Sequence, residues 1–160
     1  MRTAFAAILA LALAACSAQS AGDVAATEQG GPSRHSVSGL EIVPLTIRSE
    51  NTEHRFRVEI ARTAQEQARG LMFRTELGAN EGMIFPGGSP EPRSFWMKNT
   101  PLPLDILFIA ADRRIRNIAS DTVPYSTQQV PSVGAVIAVL ELPGGRAAEL
   151  GIEEGDLVAW

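Results

Sequence analysis

From Val37 onward, apolar residues recur mostly at every second position. Val43, Leu45 and Ile47 alternate with Pro44, Thr46 and Arg48; Phe56, Val58 and Ile60 alternate with Arg55, Arg57 and Glu59. Such alternation turns one face of a strand to a core and the other to water. Further strands are expected over Met83–Phe85, Ser94–Asn99, Leu104–Ala110, Ile115–Ala119, Ala135–Leu142 and Leu157–Trp160. Ala135–Leu142 is nearly all apolar, which suits a central strand buried on both faces. Helical signals are few. Thr63-Ala64-Gln65-Glu66 fits a capping box, with Gly70 placed to end the helix in a left-handed conformation. A second short helix is expected over Arg146–Leu150, before Gly151. Six to eight strands with one or two short helices predict a mainly β chain, folded as a compact small barrel or sandwich-like domain.

The first 36 residues break this pattern. One positive charge, Arg2, precedes an apolar run from Ala4 to Ala15, the layout of a secretory signal. The run falls short of the roughly 20 residues that cross a bilayer as a helix. Leu13-Ala14-Ala15-Cys16 resembles the lipobox of bacterial lipoproteins, in which the cysteine is acylated and becomes the mature N-terminus. The resemblance implies a signal peptide over residues 1–15, lipidation of Cys16 and a membrane partner reached through several acyl chains. Ser17, where the inner-membrane class has Asp, implies the periplasmic face of the outer membrane in a Gram-negative host. Residues 16–36 are small and polar apart from Val24 and read as a flexible tether. The globular domain is then expected over residues 37–160.

Composition narrows the chemistry. The formal charge is −4 at pH 7, and nucleic acid asks for a basic footprint instead. Cys16 is the only cysteine, so no disulfide, cysteine nucleophile or cysteine metal site is expected. His35 falls in the tether and His54 at a strand edge. Neither stands at metal-ligand spacing from other His or carboxylates, so no metal is expected. Nucleophile-elbow, phosphate-loop and dinucleotide motifs are missing from the sequence, so no cofactor is expected. Pro86-Gly87-Gly88-Ser89-Pro90 reads as a flexible loop.

The densest run of candidate chemistry is Arg93 to Phe108. Pro101 and Pro103 preset a turn after Thr100. An antiparallel hairpin closed by Thr100–Pro103 would set Lys98 opposite Asp105, and Trp96 opposite Leu107. Phe95, Met97, Ile106 and Phe108 would then face the core, with Trp96, Lys98, Asp105 and Leu107 on the other face. Lys98 is the only lysine among 14 basic residues, and a compact ammonium differs from guanidinium in shape and hydration. Asn99 adjoins this face. Glu141 shares a strand face with Ile137 and Val139, which predicts a half-buried carboxylate. Arg74 and Arg93 are candidate partners or anion binders, while Arg62 and Arg69 belong to the helix surface.

The residues Ala61-Arg62-Thr63, Glu66-Gln67, Gly70-Leu71-Met72-Phe73-Arg74, Gly82-Met83-Ile84-Phe85, Phe95-Trp96-Met97-Lys98-Asn99-Thr100, Pro103-Leu104-Asp105, Leu140-Glu141-Leu142, Gly151-Ile152 and Gly155-Asp156 are similar to the domain of unknown function 192 family. The resemblance spans about residues 43–160. It implies a small β-rich, often exported domain and assigns no activity.

Three readings follow. The first is a tethered envelope module binding a small polar ligand such as a carbohydrate, through Trp96, Lys98, Asn99, Asp105, Arg74 and Glu141, with no catalytic residue. The second is a hydrolase using Asp105 or Glu141 as acid/base and Lys98 as electrostatic stabiliser. It requires the two carboxylates to converge on one open cleft. The third is an assembly protein that meets an envelope partner along the edge at Val158-Ala159-Trp160.

Overall fold

The computed structural model describes residues 33–160 apart from Asn51. The expected export segment, Cys16 and most of the tether lie outside these residues. The elements run β1 (Ile42–Arg48), β2 (Glu53–Ile60), α1 (Ala64–Arg69), β3 (Glu81–Phe95), β4 (Leu104–Ile109), β5 (Ile115–Ala119), β6 (Val130–Pro143), α2 (Arg146–Leu150) and β7 (Leu157–Ala159). Seven strands form one sheet in the order β5-β4-β6-β3-β2-β1-β7. The sheet curls until its ends approach, and a bridge joins Arg114 to Leu157. The Val158 amide donates to the Arg113 carbonyl at 2.8 Å. The result is a half-barrel, in keeping with the mainly β expectation.

Each face of the sheet carries its own core. Inside the curl lie Leu45, Ile47, Phe56, Val58, Leu107, Leu140 and Val158, among others. On the outer face Leu71, Met83, Phe85, Met97, Ile106, Phe108 and Val139 pack together. The outer core exists because β2 and β3 are parallel. A parallel pair needs a crossover connection over a sheet face. Here the crossover carries α1 and the Leu71–Asn80 stretch, and these cover the outer face. The central placing of Ala135–Leu142 is borne out, since β6 pairs with β3 on one side and β4 on the other.

The capping box at Thr63 forms as expected, with Glu66 reaching back to the cap. Gly70 closes α1 at φ 49° and ψ −137°, a positive φ outside the left-handed helical basin that was expected. The helix over Arg146–Leu150 is present.

Three local expectations fail. Pro86–Pro90 is no separate loop: it forms a wide bulge inside the single long strand β3, where Pro86 pairs with Ala138 and Glu91 with Val136. The Ser94–Asn99 strand ends at Phe95, and the hairpin with β4 is absent. Both edges of β4 are occupied, by β5 and β6, which leaves no edge for the Trp96–Asn99 segment. His35 is not tether: its amide donates to the Leu40 carbonyl, and Arg34 bridges Glu41. The terminal strand β7 stands at the end of the sheet order, as expected of an edge; there Val158 is fully buried and its amide donates to the Arg113 carbonyl.

Candidate functional site

The register of the sheet sorts its carboxylates. Glu59 on β2 pairs with Met83, Met83 with Glu141, and Glu141 with Ile106. Directly paired residues share a face, so Glu59 and Glu141 both stand on the outer face. Asp105 pairs with Leu142 and belongs to the inner face. The expected convergence of Asp105 and Glu141 on one cleft is therefore overturned, and with it the two-carboxylate hydrolase.

Among the described residues four polar or charged ones are buried: Glu59, Thr100, Asp105 and Glu141. Three have partners. The Thr100 hydroxyl donates to the Lys98 carbonyl. Asp105 accepts from the backbone amides of Asp121, Gly145 and Ala147 at 2.8, 2.9 and 2.7 Å. Glu59 accepts from Arg74 and from the Ser38 hydroxyl, with His35 Nε2 at 3.8 Å. Glu141 is 5% exposed, and no donor among the described residues reaches its carboxyl. Burial pushes its pKa up to about 8, because removal from water penalises the charged form. At neutral pH the group is mostly a neutral acid with an O–H to donate.

Glu141 lines a cavity of about 280 Å³, open to solvent, between α1 and the far end of β3. One wall is Gln67, Arg69 and Gly70–Met72; the other is Arg93–Trp96, with Phe85 and Thr100 completing the lining. The Gln67 amide pins the two walls together. Its Nε2 donates to the carbonyls of Ala61 and Pro86 at 3.0 and 2.8 Å. Its Oε1 accepts from Arg93 at 2.9 Å. Arg93 also donates to the Phe85 carbonyl at 2.8 Å and stands 5.5 Å from the centroid of the Phe95 ring. Desolvation lowers the Arg93 pKa from its ordinary value and the Coulombic pull of Glu91 opposes this; an arginine stays charged regardless.

The expected site residues divide. Trp96 and Glu141 line this one cavity. Lys98 stands beside it, exposed, with Nζ 5.1 Å from the Trp96 ring centroid. The Lys98–Asp105 pair does not form: Asp105 is sealed on the inner face and satisfied by backbone amides. Asn99 has a positive φ of 57°, and its carbonyl accepts from the Phe73 amide, itself at φ 65°. It clamps two loops instead of lining the cavity. Arg74 belongs to the Glu59 cluster, away from Glu141. A larger cavity, about 450 Å³, touches that cluster through His35, Phe56 and Glu59, but there the carboxylate already has its cation.

Glu59, Gln67 and Thr100 were missed from sequence. Glu59 alternates with core residues and so read as solvent-facing; the crossover that buries it is a long-range feature. Gln67 carried no local signal beyond its place next to the capping box.

The comparisons agree with this architecture. The DUF192 family model, described as "Uncharacterized ACR", matches residues 45–160. The chain belongs to the DUF192 family. A crystal structure of a protein of unknown function from Novosphingobium aromaticivorans DSM 12444 is 54% identical, with a TM-score of 0.79 over 83% of this chain and 95% of that one. A crystal structure from Sinorhizobium meliloti 1021, named as a candidate transcription regulator, is 36% identical, with a TM-score of 0.73 over 75% and 94% of the two chains. No curated protein matches. Family membership thus agrees with the motif reading and leaves function to the geometry of this DUF192 domain.

Proposed function

We propose that this DUF192 chain is an envelope binding module whose Glu141 cavity takes a small polar ligand, a monosaccharide-sized carbohydrate being one that suits it. The observation that carries the reading is the buried Glu141 carboxyl, which opens on the cavity and has no partner among the described residues, whereas the buried side chains of Glu59, Thr100 and Asp105 each have one. Buried polar groups are nearly always hydrogen-bonded, and an exception calls for an explanation. A ligand bringing the missing partner supplies it. Trp96 and Phe95 add apolar surface on which a sugar ring could lie, the mix of aromatic wall and few polar groups usual in small-ligand sites. A cavity of about 280 Å³ limits the ligand to a small one.

Catalysis has weaker support. Glu141 has the pKa of a general acid, but the cavity holds no second carboxylate. Nucleic acid is disfavoured by the charge of −4, so the regulator name of the Sinorhizobium relative is not extended to this chain. The tether and the Cys16 anchor complete the proposal, holding the domain at a membrane surface.

The test is a thermal-shift screen of the purified full chain against sugars and other small polar compounds, beside Glu141→Leu. A saturable rise in Tm for the wild-type chain, lost in the variant, is expected. No shift with any compound would overturn the reading.

A further inference from the structure

Resting on that cavity as a ligand site, we propose that its ligand is a small carboxylate, an acidic sugar for example, held between the Arg93 guanidinium and the Glu141 carboxyl. Two uncompensated groups meet in one cavity. Arg93 is half-buried, yet both acceptors it has found are neutral, the Gln67 amide and the Phe85 carbonyl. Among the described residues it makes no ion pair, and Glu141 makes none either. These two groups also do not satisfy each other. An anion with two acceptor oxygens answers both needs: one oxygen accepts from the guanidinium, the other from the acid O–H.

The surrounding charge points the same way. The cations lining the cavity are Arg69 from α1 and Arg93 from β3; Lys98 stands outside the lining, with Nζ 5.1 Å from the Trp96 ring centroid. The neighbours of Glu141 on its own sheet face, Met83 and Ile106, are uncharged. Glu59, beyond Met83, is held by Arg74. Glu91 lies beside Arg93 and is not part of the lining. A cationic ligand would therefore enter against two positive charges in the cavity wall and a third beside it. An anionic one is drawn in by them, provided the floor acid keeps its proton. That condition gives the proposal a pH signature. Glu141 loses its proton near pH 8, after which it faces the ligand as a second anion.

The experiment is isothermal titration of the full chain with glucuronate, glucose and glucosamine at pH 6 and pH 9. Expected are at least tenfold tighter binding of glucuronate than of glucose at pH 6, and a loss of at least tenfold for glucuronate at pH 9. Arg93→Gln should abolish the preference. Because that change also removes two structural hydrogen bonds, Arg69→Gln and Lys98→Gln provide folded controls. Each should weaken glucuronate a few-fold and narrow its preference over glucose. Equal or tighter binding of glucose or glucosamine overturns the anion inference and leaves the ligand site standing. Affinity for glucuronate that does not fall at pH 9 overturns the role given to Glu141. No binding by any of the three overturns the anion inference, and the broader small-ligand screen then decides whether the site itself survives.

Discussion

Asp105 and Glu141 stand on neighbouring strands, one step apart in register, and point to opposite faces of the same sheet. Both are buried. Asp105 ends among three backbone amides, two of them at the start of α2, whose N-cap Gly145 has no side chain to offer. It is a remote cap, doing from β4 what a local Asp or Ser does elsewhere. Glu141 ends in a cavity, with no partner among the described residues. Burial therefore does not separate structure from function in this domain. The separation comes from whether the fold itself satisfies the buried group.

The largest expected effect tests that contrast directly. The Glu141 carboxyl is raised from 4.5 to about 8. A raised acid favours the folded state fully below its unfolded value and loses that contribution as pH climbs to the folded value. Wild-type stability should thus fall between about pH 4.5 and 8 relative to Glu141→Gln, by on the order of 5 kcal/mol before any relief from water entering the cavity. Above pH 8 the difference should stay level. Urea midpoints for both proteins at pH 5 and pH 9 measure it. Parallel curves would mean the ionised group has found a partner, and the contrast with Asp105 would collapse.

Next in size is Asp105→Ala. It leaves three amides without an acceptor, that of Ala147 buried and those of Asp121 and Gly145 partly buried, and an orphaned buried group costs about 1–3 kcal/mol. A loss of about 4 kcal/mol is expected, read as a drop in urea midpoint with the slope unchanged. Ligand affinity at the Glu141 cavity, on the opposite face, should be unaltered in whatever fraction remains folded. A loss below about 1 kcal/mol would show that α2 does not depend on this cap.

Glu59 provides a third case, buried and satisfied by a cation. Removing one partner of a buried pair costs about 3–5 kcal/mol. Arg74 keeps a little exposure, with 11% of its side chain open, so Arg74→Ala should cost about 3 kcal/mol by the same denaturation measurement. Arg74→Ala together with Glu59→Leu should recover part of it. A double variant no more stable than the single one would mean Arg74 matters for packing and not for charge.

Much of this was readable in the residue pattern, and the failures share one cause. The Thr63 capping box and the core-facing Phe95, Met97, Ile106 and Phe108 depend on neighbours within a few positions, and both are present; Glu141, expected to be half-buried, is buried outright. Lys98 facing Asp105 depended on which strand β4 chooses. β4 chooses β6, some 35 residues on, because a sheet edge can be used only once. No periodicity encodes that choice. Glu59 and Arg74 were misplaced for the same reason: their meeting follows from the parallel β2–β3 pair and the crossover above it. Trp96 reached the site by a route the hairpin argument did not contain, since β3 stops at Phe95 and delivers the indole to the cavity rim.

The smallest expected effect compares the two helices. α2 relies on a buried carboxylate from a distant strand. α1 is capped by its own sequence, through Thr63 and Glu66, and buries none of its residues. Its cap is exposed, so water can replace a lost acceptor, and Thr63→Ala should cost about 1 kcal/mol. That is well under the Asp105→Ala loss although both changes remove a helix cap. The small cost should still reach the site, because α1 carries Gln67 and Arg69 in the cavity wall. Hydrogen exchange should speed up at the Gln67 and Gly70 amides, which close the helix onto the Thr63 and Glu66 carbonyls, while the α2 amides stay protected. If α2 loosens as much as α1, the two faces of the sheet are not independent, and a change at the outer face would be felt at Asp105 as well.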